Sequence, residues 1–203
     1  ENPRMSENQD RSSPQNQAAT PPVGFVEMWV RIPKRKQWMT LSILIVTVLV
    51  YIGQLISNYL YQVDVPLTII ALTSALIYQG QFWRLITVVL VHGSILHIGL
   101  NMLALFTLGR SLERFYGPWR LLIIYFMGAL GGSLFHFYFS NQLTGGAATS
   151  VFALAAAQLV LFWRNRFLWG QENRRILLNF IGILGLNLVI NLFPGLGGLS
   201  MLG

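Results

Sequence analysis

Between residues 121 and 162 the chain carries no Asp, Glu, Lys or Arg. A single helix crosses the hydrocarbon core of a bilayer with about 20 apolar residues, so this run is too long for one crossing. It has to turn back, and "SNQLTGG" at 140–146 supplies the polar and small residues for the turn. Residues 38–62 form another uncharged run, of the length of one crossing. Residues 85–109 qualify by length but hold His92, His97 and Asn101, and residues 176–193 form the last clear span. Only 10% of the chain is charged and its mean hydropathy is +0.54, against about 25% charged in soluble domains. The expected fold is an all-α membrane protein, a polytopic helical bundle with five crossings and one ambiguous apolar segment at 65–83.

Basic residues decide that ambiguity. Arg31, Lys34, Arg35 and Lys36 precede the first span, which predicts a cytoplasmic N-terminus. With five crossings, Arg110, Arg114 and Arg120, and later Arg164, Arg166, Arg174 and Arg175, all fall on the cytoplasmic side, leaving Arg84 outside. A further crossing at 65–83 would turn these clusters outward, and Pro66, Gly80, Gln79 and Gln81 also argue against one. That segment is expected at the outer interface. The net charge of +7 is thus explained by membrane orientation, and no nucleic-acid partner is expected. Residues 1–36 read as a disordered cytoplasmic tail ending in a basic juxtamembrane segment, and 37–203 as the membrane domain. No short apolar run follows a basic start, so no cleavable signal peptide is expected.

Ionisable residues inside a span are costly and commonly mark function. Asn101 follows His97 by four residues, which puts both on one helical face. Gly146, Ala147 and Ala148 open the fourth span at the same outer depth, on a helix that can neighbour the second. Hydrogen bonding between helices is the plainer role for such residues, and the one assigned to His136 near the outer end of the third span. His92, His97 and Asn101 have no nearby carboxylate to close a metal site, and the chain has no cysteine. Gly128 and Gly132 form a G-xxx-G pair on the third span that would permit close helix contact.

Several ordered motifs resemble the rhomboid intramembrane serine proteases, from about Gln81 onward. "FWR" (82–84) is similar to the family's Trp-Arg pair in its large outer loop. "HGSILHIGLNMLALFTLGRSLERFYG" (92–117) resembles its second helix, with the HxxxxHxxxN spacing and a Glu-Arg near the cytoplasmic end. "GAATSVFAL" (146–154) resembles the Gly-x-Ser motif that opens its fourth helix. The resemblance implies a bundle of six helices in a complete chain and cleavage of single-span membrane proteins near the outer face. It implies no cofactor and no metal. His97 and Asn101 match the side chains lining the oxyanion hole, His92 a histidine at the water-accessible mouth, and Phe152 an aromatic against the catalytic histidine. Gly146 matches the motif's glycine and lines the site. Position 148 matches the nucleophile, and it is alanine here.

A hydroxyl becomes nucleophilic beside a base, and the oxyanion that follows needs donors aimed at it. Gly145 and Gly146 permit close backbone approach, and small Ala147 and Ala148 would leave room for a substrate strand. Ser150 lies roughly 200° around the helix from position 148, so it does not replace the nucleophile. The resemblance also places the catalytic histidine just after "FPGLGGLSMLG" (193–203), where the sequence stops. The chain is therefore expected to show five of six helices and to be inactive as it stands. Three readings remain: a protease scaffold altered at 148, a natural pseudoprotease, or a module that binds membrane helices without cutting them. The expected location is a bacterial plasma membrane. Substrate identity and oligomeric state are not legible.

Single cysteines test this topology against no native background. Cysteines replacing Gln142 and Gly197 are expected to label from outside the cell, and one replacing Asn165 is not. External labelling at 165 would overturn the five-crossing topology.

Overall fold

A computed structural model of the chain describes residues 36–140 and 142–164, together with Leu178, Ile181, Gly182, Gly185 and Val189. The tail before Lys36 and nearly all of the span expected at 176–193 lie outside the described residues. Helix α1 covers Trp38–Tyr61, about 36 Å of rise. Helices α2 (Val65–Ile70) and α3 (Ser74–Tyr78) follow, then α4 (Arg84–Thr87) and a 3-10 turn at Val88–Leu90. Helix α5 (Ile95–Ala104) runs through a π turn at Leu105–Gly109 into α6 (Arg110–Tyr116), making one rod. Helix α7 spans Pro118–Phe139 and α8 spans Ala148–Arg164. Among the described residues, α1, the α5–α6 rod and α7 are long and apolar enough to cross a membrane, and α8 is a shorter apolar helix. The result is a polytopic helical membrane bundle, as the uncharged runs predict.

Segment 65–83 does not cross. Its two helices have six and five residues, about 9 and 7.5 Å of rise against a core of about 30 Å. The Asp64 carboxylate caps α2 by accepting the Leu67 N–H at 2.9 Å, and Pro66 sits in its first turn, where a missing N–H is harmless.

The second span is displaced from its expected place at 85–109. It begins at Ile95, because the Ser94 hydroxyl accepts the His97 N–H at 3.1 Å and starts the helix there. His92 therefore stands in the loop ahead of the helix, a correction to its expected place on the span. The rod continues to Tyr116 because its charges are accommodated at that end. Glu113 is wholly buried and accepts from Met39 N (2.8 Å), Thr40 N (2.9 Å) and Thr40 Oγ1 (2.6 Å). These amides belong to the first turn of α1, which has no intrahelical acceptor for them, and the helix dipole favours a carboxylate there. The contact pins the end of α6 to the start of α1. Trp38 and Trp119 meet edge to face at the same end, with centroids 6.1 Å apart. We call this the entry end of the bundle.

Half of the most apolar stretch of the α5–α6 rod is buried, against 22% for α1 and α7; the rod is the central element. Helix α8 packs on α7 through the G-xxx-G pair. A Cβ on Gly128 would stand 2.5 Å from the Ala153 Cβ and 2.9 Å from the Ser150 Cα. One on Gly132 would stand 2.3 Å from the Thr149 Cγ2. The two glycines are the space into which Thr149, Ser150 and Ala153 fit.

Gly132→Ala is expected to destabilise the bundle by about 1–3 kcal/mol, the usual cost of overpacking, read by thermal unfolding in detergent. Gly99→Ala, where an added Cβ meets nothing within 4 Å, is the control. Restoring space with Thr149→Gly should recover most of the loss at Gly132. A Gly132→Ala protein as stable as the control would remove the packing role.

Candidate active site

The two loops at the end opposite the entry end carry most of the polar contacts. Leu72 and Thr144 exchange both backbone bonds, Leu72 N to Thr144 O at 3.1 Å and Thr144 N to Leu72 O at 3.0 Å. Arg84 is buried and donates to Ala71 O (2.6 Å), Thr68 O (2.8 Å) and Gln81 Oε1 (2.7 Å). Trp83 Nε1 donates to Ile69 O at 3.3 Å. The Phe-Trp-Arg segment thus stitches the long loop to itself. The chain entering α8 is anchored by Gly146 N–H to Val88 O at 3.0 Å.

That anchor brings the small-residue mouth of α8 onto the first turn of α5. Gly146 has φ of 121°, a region closed to most side chains. A Cβ there would also stand 2.6 Å from His97 Cε1 and 2.8 Å from Nε2. Both the backbone angle and the imidazole require glycine. Ala147 is fully buried, so its small size serves packing rather than the expected room for a substrate strand. Ala148, half-buried, is the first residue of α8, and Phe152 lies one turn further on, also half-buried. The Thr149 side chain meets α7 at Gly132, and the backbone of Thr149 and Ser150 meets it at Gly128. Neither stands in for residue 148.

His92 and His97 lie edge to face with centroids 5.1 Å apart. His92 Nε2 accepts the Ala147 N–H at 3.4 Å, which requires the neutral tautomer with its proton on Nδ1. Asn101 Nδ2 donates to His97 O at 3.0 Å, one turn up the same face. His97 Nε2 and Asn101 Oδ1 are buried without a hydrogen-bond partner, a state that costs about 1–3 kcal/mol per group in a dry interior. The structure thus joins His92, His97, Asn101 and Gly146 into one cluster ahead of Ala148. His136 stands apart at the end of α7, with Nε2 2.8 Å from Gln142 O. Among the described residues, no three His, Cys, Asp or Glu side chains are grouped to hold a metal ion.

Sequence reasoning passed over Gln54. It is buried in the last third of α1, accepts the His92 N–H at 3.0 Å and donates to His92 O at 3.3 Å and Asp64 Oδ2 at 2.7 Å. The carboxylate fixes which way the amide faces, and the amide then satisfies both backbone groups of His92. A glutamine within an otherwise apolar span was the available signal.

Fold and cluster together define a polytopic membrane protein with a polar site sunk among its helices. A rhomboid domain model matches residues 79–203, and the chain belongs to the rhomboid family. It is 33% identical over 124 residues to the rhomboid protease GluP of Bacillus subtilis, covering 61% of this chain and 22% of that protein. It is 34% identical over 128 residues to RHOMBOID-like protein 5 of Arabidopsis thaliana, covering 61% and 41%. Against the rhomboid protease AarA of Providencia stuartii it is 29% identical over 142 residues, covering 60% and 50%. The chain thus spans between about a fifth and a half of the length of these relatives.

Gln54→Leu leaves both backbone groups of His92 unpaired, so a loss of about 1–3 kcal/mol is expected. Amide hydrogen exchange at Ala147 should quicken more than exchange in α7. A protein with unchanged exchange at Ala147 would mean that Gln54 does not hold the loop.

Proposed function

We propose that the chain is the scaffold of an intramembrane serine endopeptidase that is inactive with alanine at position 148. In this reading it cuts single-span membrane proteins near the outer membrane face, through a Ser-His dyad whose serine would stand at 148. The observation that carries the reading is the buried cluster of His97 and Asn101 against Gly146, two residues before that position. His97 Nε2 and the Asn101 amide are the side-chain donors for an oxyanion, and the backbone N–H of residue 148 is a third. The first amides of a helix have no intrahelical acceptor and point at an anion. Removing one such donor from a working site costs about 10²–10³ in rate. His92, held by Gln54 and by Ala147 N–H, fixes the loop that forms the mouth. The oriented cation clusters support a cytoplasmic N-terminus, and a bacterial plasma membrane is the proposed location.

Without a hydroxyl at 148 no acyl-enzyme bond can form. The second reading is a pseudoprotease that binds membrane helices, and the alanine at 148 is the observation that favours it. A helix-binding surface has little use for donors aimed into a polar cluster, so the first reading is preferred.

The test is cleavage of a tagged single-span membrane peptide by three proteins: residues 1–203 with alanine at 148, the same residues with Ala148→Ser, and that form extended by a further helix bearing a histidine. None of the histidines at 92, 97 and 136 is placed as the serine's base in this reading. An unassisted serine is a poor nucleophile, so the first two proteins are expected to be silent and the third active. Activity in either of the first two would sink the dyad, and silence in the third would favour the pseudoprotease.

A further inference from the structure

Among the described residues the bundle holds two carboxylates, Glu113 and Asp64. The bonds of Glu113 go to the start of α1. Asp64 stands half-buried in the turn between α1 and α2, and its two oxygens face different partners. Oδ1 accepts the Leu67 N–H at 2.9 Å, the ordinary bond of a helix cap. Oδ2 accepts from Gln54 Nε2 at 2.7 Å. A cap needs only one oxygen, so the second bond calls for a separate account.

The chain returns on itself to make that bond. Gln62 ends α1 with φ of 55°. The Val65 N–H donates to Ser57 Oγ at 3.2 Å, and Ser57 Oγ donates to Gln54 O at 3.1 Å. The start of α2 is thereby laid back on the last turns of α1, with Asp64 against a residue ten positions earlier. Gln54 then meets Asp64, the His92 N–H and His92 O at once. Turned over, its Oε1 would face a carboxylate and a carbonyl, and its Nε2 another N–H. Only one orientation of the amide satisfies all three groups. A neutral isostere removes that selection. Asparagine caps a helix about as well as aspartate, but with its one oxygen on Leu67 it presents its amino group to Gln54. Gln54 then sets donor against donor at residue 64, or turns over and does so at His92.

We infer that Asp64 is a positioning residue for the polar cluster. Through Gln54 it sets the backbone of His92, and through His92 Nε2 the Ala147 N–H at the mouth of α8. One carboxylate thus ties the start of α2 to the spacing between the loop ahead of α5 and the start of α8. The inference concerns the geometry of the cluster and stands apart from the protease reading.

The experiment follows amide exchange residue by residue, by NMR on the full chain in lipid nanodiscs. Asp64→Asn is expected to quicken exchange at His92 and Ala147 by about 10-fold, the equivalent of one lost hydrogen bond. Exchange at Leu67 and in α7 should stay as it is. The His92 ring reports separately. Its bond from Ala147 selects the tautomer with the proton on Nδ1, so the ring nitrogen signals should pass from one tautomer to a mixture. Asp64→Ser keeps a helix cap but is too short to reach Gln54, and should act in the same way. In a Gln54→Leu protein, Asp64→Asn should add nothing at either amide, because the path is already cut. Unchanged exchange at His92 and Ala147 in Asp64→Asn, or in Asp64→Ser if only that variant folds, would overturn the inference. So would a loss of protection at Leu67 alone or evenly through the bundle, the result of a carboxylate that only caps α2 or only supports the fold. Additive losses in the double variant would also sink it, since they place the effect outside Gln54.

Discussion

In hydrocarbon there is no water to satisfy a peptide group, so backbone that leaves the helix must find its partners inside the protein. That constraint governs the end of the bundle opposite Trp38. Among the described residues, the chain there is irregular from Gln62 to Ser94, broken only by short helices, and again at Ser140 and from Gln142 to Ala147. Each irregular stretch takes the other, or a buried side chain, as its partner. Leu72 and Thr144 pair backbone to backbone, Gly146 bonds to Val88, and Arg84 gathers the carbonyls of Thr68 and Ala71. Gln54 serves His92 in the same way from within α1. The polar cluster is held at the meeting point of these stitches. Its geometry is thus a consequence of how the loops satisfy themselves, as much as of the helices beneath them.

The order of the described apolar helices was legible because crossing a bilayer imposes a length and a lack of charge, and both show in a single sequence; the fifth expected span, at 176–193, lies almost wholly outside the described residues. The parity argument from arginines correctly kept 65–83 from crossing, since that segment forms only the short helices α2 and α3. The start of the second span was not legible. Residues 85–94 are as apolar as a helix requires, and hydropathy does not register that Ser94 caps a helix beginning at Ile95. Its other end was misplaced for the opposite reason. Arg110, Glu113 and Arg114 look like a boundary, but Glu113 is absorbed by the free amides of α1 and the helix runs on. Both errors come from contacts between segments far apart in the chain. Spacing alone brought His97 and Asn101 to one face, and their bond across one turn agrees with it. The partners of His92 at Gln54 and Ala147 lie 38 and 55 residues away, and no local pattern encodes them.

The direction of residue 148 is set by α7. Thr149 fits against Gly132 and Ser150 against Gly128, and successive helix residues are rotated by about 100°. With those two committed to α7, residue 148 is turned away from that helix. The glycines of the third span therefore act on the site without touching it. In the proposed reading, the same packing keeps Ser150 from taking over the role of position 148: turning it to the mouth would drive Thr149 out of its place and slide α8 along α7. Register and site are one constraint here.

Alanine at position 148 disturbs none of this. The first position of a helix tolerates alanine, because the residue there need only adopt helical backbone angles. The bonds that locate the mouth run through the backbone of Gly146, the backbone of Ala147, and His92, and none uses the side chain at 148. A serine in its place adds one hydroxyl oxygen at the start of the helix, where a polar side chain is readily accommodated. In the proposed reading, the chain therefore holds the surroundings of a nucleophile in place while lacking its hydroxyl. Architecture and proposed chemistry then depend on different atoms: the architecture on peptide groups paired across the loops, the chemistry on a single oxygen that the fold does not need.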